Sequence, residues 1–308
     1  MTTVRIGTRG SRLAMTQSAM VARALEAANP GLRAELVKVT TSGDRLRRAP
    51  LPEVGGKGLF TREIEERLLA GDIHLAVHSL KDLPTDLPGG LAVLAVPERA
   101  PANDALVSPG GLSLVELPPG SRVGTSSPRR TAQLLAARPD LEVVPIRGNL
   151  DTRLRKLASG NYDAIVVALA GLERLGLRDA RCHVLSFQEM LPAPGQGALA
   201  VEGLAGVEWL RETVEPINHC PTALATRAER AVLKALGGGC ALPLGTYAEV
   251  SGQRLAIRAV VASEDGKRVC RAEASGPAEE LDHLSHQAAA RLLEAGAAEM
   301  LHRPASPS

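Results

Sequence analysis

Arg122-Val123-Gly124-Thr125-Ser126-Ser127-Pro128-Arg129-Arg130-Thr131-Ala132-Gln133 reads as a short strand, a Gly-Thr turn and the start of a helix, with Pro128 suited to the first helical position. The chain opens with the same grammar. Val4 to Ile6 is an apolar run ending in Gly7-Thr8-Arg9-Gly10-Ser11, after which Leu13, Met15, Ala19, Met20, Ala22 and Leu25 keep roughly helical spacing until Asn29-Pro30-Gly31. The second half of each block also matches. Lys57-Gly58-Leu59-Phe60-Thr61-Arg62-Glu63-Ile64, a helix, Gly71 and a strand from Ile73 correspond to Arg147-Gly148-Asn149-Leu150-Asp151-Thr152-Arg153-Leu154, a helix, Gly160 and a strand from Ala164. This repetition predicts an α/β protein with two lobes of like design, whose loops converge on one crevice outside the carboxyl ends of the strands. Chance similarity is the competing account, because short βα units are stereotyped.

Between these blocks, Ala34 to Thr40 reads as a second strand, and Thr41 to Gly58, rich in glycine and basic residues, as a mobile loop. Thr61 is placed to cap a helix through Ala70, with Glu63 and Glu65 in its first turns where the dipole favours them. Ile73 to Val77 is then a buried strand running into His78-Ser79-Leu80-Lys81-Asp82-Leu83-Pro84. Pro97-Glu98-Arg99-Ala100-Pro101 and Leu191-Pro192-Ala193-Pro194-Gly195 are two proline-bearing crossings with the composition of a hinge. Beyond Cys240 the pattern changes: Tyr247 to Val250, Arg254 to Ala262 and Arg268 to Ala274 alternate as strands, and Glu279 to Leu301 is an amphipathic helix. The expected domains are 1–98 with 195–217, then 102–192, then an α+β domain with a small antiparallel sheet over 219–308.

Composition narrows the function. A chain of 308 residues with 44% hydrophobic content builds packed cores, and a net charge of +2 with 2% aromatics gives no bulk reason to expect nucleic acid or an anionic membrane. The N-terminus lacks a basic region followed by an apolar one, and no apolar run approaches the ~20 residues that span a bilayer, so the expectation is a cytoplasmic protein. Cys182, Cys220, Cys240 and Cys270 form no CxxC pair and read as free thiols. His74 and His78 have the spacing of a helical metal pair, but Leu75 stands where HExxH needs glutamate and the local pattern is a strand, so no metal is expected.

Two stretches carry chemistry. Arg129 and Arg130 sit in the first turn of their helix, where a cation opposes the macrodipole, so helix stability does not explain them. A bound anion does, held by the helix start, the Ser126 and Ser127 hydroxyls and the guanidinium forks. Arg9, Lys57, Arg147 and Arg153 occupy equivalent turns, and six such cations point to a polycarboxylate or a phosphorylated ligand rather than a solvated basic surface. The other stretch is Leu236-Gly237-Gly238-Gly239-Cys240-Ala241-Leu242-Pro243, which reads either as a helix C-cap followed by a small buried residue or as a thiol presented to carry a covalent group.

Val54-Gly55-Gly56-Lys57-Gly58-Leu59-Phe60, the His78 to Pro84 run, Gly124 to Arg130, Arg147-Gly148-Asn149 with Thr152-Arg153, Pro194-Gly195-Gln196-Gly197-Ala198 and Gly238-Gly239-Cys240 together resemble the porphobilinogen deaminase (hydroxymethylbilane synthase) family over nearly the whole chain. That resemblance implies two periplasmic-binding-protein-like α/β lobes around a cleft, a third domain, and usually a monomer. It implies a dipyrromethane cofactor joined to Cys240 by a thioether, extended head to tail by four porphobilinogen molecules with loss of ammonia, and release of hydroxymethylbilane. Asp82 would be the catalytic carboxylate. Arg9, Ser11, Ser79, Lys81, Thr125, Ser127, Arg129, Arg130, Arg147, Arg153, Arg174 and Gln196 would bind cofactor and substrate, with Lys57 and Phe60 on a loop that closes over them. Glu53 departs from a common lysine in that loop, and Leu242 from a β-branched residue beside Cys240. The competing function is a non-catalytic two-lobed cytoplasmic binding protein for a polycarboxylate, with Cys240 inert.

Overall fold

The computed structural model describes residues 2–42, 61–238 and 242–301. Glu53, Lys57, Phe60, Cys240 and most of the expected closing loop lie outside the described residues. The chain opens with β1 (Thr2–Arg9), α1 (Arg12–Ala28), β2 (Leu32–Val39), α2 (Arg62–Leu69), β3 (Leu75–Ser79) and β4 (Leu91–Ala95). It continues through β5 (Asp104–Val107), β6 (Arg122–Gly124), α3 (Pro128–Ala137), β7 (Glu142–Val144), α4 (Leu150–Ala158), β8 (Ala164–Ala168), α5 (Leu169–Arg174) and β9 (Cys182–Val184). Then come β10 (Leu199–Leu204), α6 (Glu208–Val214), α7 (Cys220–Ala235), β11 (Leu244–Ser251), β12 (Arg254–Ala262), β13 (Val269–Pro277), α8 (Leu281–Glu294) and α9 (Ala298–Leu301).

Two mixed sheets share one plan, with strand orders β2-β1-β3-β10-β4 and β7-β6-β8-β5-β9. In each, four strands run in one direction and one runs against them, β10 in the first and β5 in the second. The direction of that strand matters for the site. An antiparallel strand begins where its neighbours end, so Asp104, the first residue of β5, is opposite Ala168 at the carboxyl end of β8. The chain divides into two units, residues 1–100 with 197–223 and residues 101–196 with 224–308, and the antiparallel sheet β11-β12-β13 belongs to the second.

Both mixed sheets are covered on both faces, which is why their central strands read as continuous apolar runs. On β8, Ala164 and Val166 enter one core with Leu134 and Leu106, while Ile165 and Val167 enter another with Leu157 and Leu172. On β3, Leu75 and Val77 meet Val21 and Leu25 of α1, and Ala76 faces Ile64 and Leu68 of α2. Each fully buried Leu or Ile there contributes about 1.5–3 kcal/mol. By contrast β13 alternates buried and exposed residues along its whole length, with α8 on its inner face.

The structure moves several expected boundaries. The strand expected to start at Ile73 runs instead from Leu75 to Ser79, so His78 and Ser79 are part of the sheet. Thr61 makes no side-chain cap bond to α2. The single terminal helix is two, because the N–H groups of Gly296 and Ala297 fold back onto Leu293 and Leu292 and end α8. No helix among the described residues is long and apolar enough to cross a membrane.

Candidate active site

In the first unit the site residues stand at the carboxyl ends of two adjacent parallel strands, β1 and β3. Arg9 ends β1, and Ser11 caps α1 by accepting the Ala14 N–H at 3.2 Å. Ser79 ends β3, and its hydroxyl lies 3.1 Å from Nε2 of Gln17, which ties the strand end to the first helix. Lys81 and Asp82 follow at once in a single 3₁₀ turn, Leu80–Asp82, whose Leu80 is buried and whose Asp82 is exposed. No hydrogen bond or ion pair reaches the Asp82 carboxylate from the described residues. The turn therefore presents an anchored carboxylate to solvent.

Directly behind this turn His78 and Glu202 are buried in the sheet, with Nε2 of His78 3.0 Å from Oε2 of Glu202. Glu65 of α2 is also buried, and burial pushes its carboxyl above the usual range, with the Glu202 charge adding to the effect. His74 behaves differently: it accepts the Arg5 N–H through Nδ1, and burial followed by the Arg5 charge lowers its pKa.

In the second unit the loops after β6 and β7 leave side by side, because those strands are parallel neighbours. Arg147 is exposed; Gly148 has φ +118°, a conformation reserved in practice for glycine, and a Cβ there would also meet Thr152 Cγ2 at 2.7 Å. Asn149 caps α4 by accepting the Thr152 N–H at 3.0 Å, and Nε of Arg153 donates back to the Gly148 carbonyl at 2.9 Å. The Arg-Gly-Asn motif is thus a helix start that holds one arginine across it and leaves the other outward.

The loop after β6 departs from expectation. Thr125 is buried and accepts the Ser127 N–H through its hydroxyl, and the Ser126 hydroxyl is engaged with both backbone groups of Ile146 rather than facing a ligand. Ser127 holds the N-cap position of α3 without a side-chain cap bond. Arg129 and Arg130 are 3% and 6% exposed, so the anion beside these first-turn arginines is internal. Asp104 Oδ2 accepts from Nη1 of Arg129 at 2.7 Å, and its Oδ1 accepts from Nη2 of Arg130 at 2.7 Å and from Nε2 of Gln196 at 2.8 Å. Burial alone would raise the Asp104 carboxyl, but Arg129 and Arg130 together hold it well below the usual carboxylate range. Arg174 ends α5, where burial pulls its guanidinium down to about 10 against the opposing charge of Glu173.

Sequence reading did not find Asp104, Glu202, Glu229 or Lys38. Lys38 lies near the end of β2, with Cε close enough to Gly10 that a Cβ there would meet it at 2.3 Å, so a further cation lies beside Arg9 and Ser11. Glu229, buried in α7, accepts the N–H groups of Gly195 and Ala248 and so ties the segment carrying Gln196 to the helix that runs into the glycine loop. At the end of α7 the Gly238 N–H bonds to the Leu233 carbonyl and the Gly237 N–H to that of Lys234, a Schellman turn with Gly237 at φ +96°. The cap half of the glycine-loop reading is therefore met by Gly237 and Gly238, one residue short of Gly239 and Cys240. Among the described residues no group of three or more His, Cys, Asp or Glu is arranged to hold a metal ion.

Residues 4–212 match the family profile described as porphobilinogen deaminase, dipyromethane cofactor binding domain, and residues 223–294 match porphobilinogen deaminase, C-terminal domain. The chain is 49% identical over 300 residues to porphobilinogen deaminase of Desulforudis audaxviator, covering 97% of both chains. It is 47% identical over 298 residues to the porphobilinogen deaminase of Geobacter metallireducens, covering 97% of this chain and 93% of that one. Among solved structures, the periplasmic VFT2 domain of Bordetella pertussis BvgS aligns with 70% of this chain and 86% of its own at 16% identity and a TM-score of 0.42.

Proposed function

The chain belongs to the porphobilinogen deaminase family, and from that premise we propose how its residues divide the work. It is a porphobilinogen deaminase with a dipyrromethane cofactor domain, which leaves the non-catalytic binding-protein reading without support. The cofactor, when bound, supplies the pyrrole position onto which porphobilinogen is joined. The described residues suit such a group. In each unit, taken by itself, the loops at the carboxyl ends of neighbouring parallel strands carry cationic and hydroxyl donors of the kind that bind carboxylates.

In this reading Cys240 holds the cofactor through a thioether, and four substrate molecules are added head to tail before hydroxymethylbilane is released. Asp82 is the catalytic carboxylate, stabilising positive charge that develops at a pyrrole nitrogen as ammonia leaves. Arg9, Ser11, Ser79 and Lys81 in the first unit, and Thr125, Ser127, Arg129, Arg130, Arg147, Arg153, Arg174 and Gln196 in the second, bind carboxylates or align those that do. Lys57 and Phe60 close over the site. The working domains are 1–98 with 195–217, 102–192 and 219–308, and the protein acts as a cytoplasmic monomer.

The observation that carries this reading is the exposed Asp82 carboxylate, unpartnered among the described residues, on a turn whose neighbouring strand ends carry cations and hydroxyls. The mass of the purified, denatured chain tests it. The wild-type chain should exceed its sequence mass by one dipyrromethane, and Cys240→Ser should remove the excess. An adduct retained by Cys240→Ser, or absent from the wild type, overturns the assignment.

A further inference from the structure

We infer that Asp104, which no motif singled out, is a positioning residue for substrate binding: it gathers Arg129, Arg130 and Gln196 into one buried cluster and fixes how Arg129 faces a ligand carboxylate. The inference rests on the proposed role of Arg129 as a carboxylate-binding group.

The topology places Asp104 there. Because β5 runs antiparallel to β8, its first residue lies opposite Ala168, on the edge of the sheet from which the β6, β7 and β8 loops depart. Asp104 is fully buried, and its two oxygens take four hydrogen bonds: Nη1 of Arg129 at 2.7 Å, Nη2 and Nε of Arg130 at 2.7 and 3.2 Å, and Nε2 of Gln196 at 2.8 Å. Backbone carbonyls complete the seats. Nη1 of Arg129 also reaches Leu191, Nη1 of Arg130 reaches Val166, and Nε2 of Gln196 reaches Ala102. Gln133 locks the Leu191 backbone in turn through both of its amide atoms.

The two arginines differ in what they have left. Arg130 directs Nε and both terminal nitrogens inward, so its capacity for a ligand is largely spent on the protein. Arg129 is held by Nη1 alone, and its Nε is buried without a hydrogen-bond partner among the described residues. Two guanidinium groups against one carboxylate also leave the cluster with one positive charge in excess. A buried charge without a counter-ion is unfavourable, so a ligand carboxylate completes the cluster, and Asp104 decides the direction from which Arg129 meets it.

Kinetics of the holoenzyme in a double-mutant cycle test this. Asp104→Asn keeps the acceptor for Arg130 but turns an N–H donor toward Arg129, so KM for porphobilinogen should rise by about tenfold or more, the range for losing a hydrogen bond to a charged group. Arg129→Gln should raise KM similarly, and adding Asp104→Asn to it should change KM no further. If Asp104→Asn does not yield soluble protein, Asp104→Glu retains the charge with the carboxylate displaced and should raise KM in the same non-additive way. The fraction of denatured chain carrying the cofactor mass, measured alongside, confines the comparison to loaded enzyme. A KM raised by Arg129→Gln but unmoved by either Asp104 variant, even with a lowered melting temperature, overturns the positioning role alone. Additive effects of the two substitutions overturn it as well. A KM unmoved by Arg129→Gln overturns both this role and the reading of Arg129 on which it rests.

Discussion

Nε2 of His78 lies 3.0 Å from Oε2 of Glu202 on diagonal positions of β3 and β10, both side chains buried, with His78 next to Ser79 at the start of the turn and Glu202 level with Ala76. The contact has ion-pair distance without hydrogen-bond geometry, and Oε1 of Glu202 has no hydrogen-bond partner among the described residues. Removing the imidazole strands the carboxylate in the sheet. His78→Leu should therefore lower stability by about 3 kcal/mol, the cost of leaving one member of a buried pair unpaired, while Glu202→Gln should cost less. Chemical denaturation checks this, and equal losses in the two variants would show that the pair acts through packing alone.

Glu65 gives a pH-dependent counterpart. Its carboxyl is raised in the folded protein by burial, from an ordinary value of 4.5. Below that value Glu65 is protonated folded or unfolded, and its effect is flat. As pH rises through 4.5 the unfolded chain ionises first, so the native state loses stability until the folded group also titrates. Glu65→Gln removes this loss, and its melting temperature relative to wild type should climb between acid and neutral pH. A difference independent of pH would refute the linkage.

For Asp82 the measurement is turnover at saturating substrate. Asp82→Asn keeps the shape and removes the charge, so kcat should fall at least ~10²-fold with KM little changed, as for loss of one group that stabilises developing charge. A parallel loss of binding would mark Asp82 as an anchor for the turn, and near-normal turnover would place the catalytic carboxylate elsewhere.

Arg147 and Arg130 separate charge from geometry. Arg147 is exposed and makes no side-chain hydrogen bond to the described residues, so Arg147→Lys tests its fork against a ligand carboxylate directly, with raised KM expected and little change in melting temperature. Arg130→Lys cannot reproduce three inward contacts and should lower the melting temperature as well. If Arg147→Lys binds substrate as well as wild type, its contribution is charge alone.

The duplicated strand, turn and helix were legible because local rules set them: apolar runs of four or five residues, Pro128 at a helix start, Asn149 as a cap and glycine at helix ends. The motif that names the family could be read for the same reason, since Ser79, Lys81 and Asp82 are neighbours in sequence and leave one strand together. The helix that carries Arg129 and Arg130 shows that they need an anion and does not show which one. Their nearest anion is 25 and 26 residues away, on a strand of the opposite direction.

Most elements, the likeness of the two sheets and the turns that hold cations are readable along the chain, because periodicity, capping and turn chemistry act over a few neighbouring residues. Which of those cations face inward is set by contacts between distant segments, as for the buried Arg129 and Arg130. Strand β5 enters its sheet antiparallel and brings Asp104 to the edge where α3 begins, and β10 does the same in the other sheet when it sets Glu202 against His78. Strand direction within a sheet is a long-range property. No local pattern encodes it, and it fixes whether a buried charge meets a partner from its own chain.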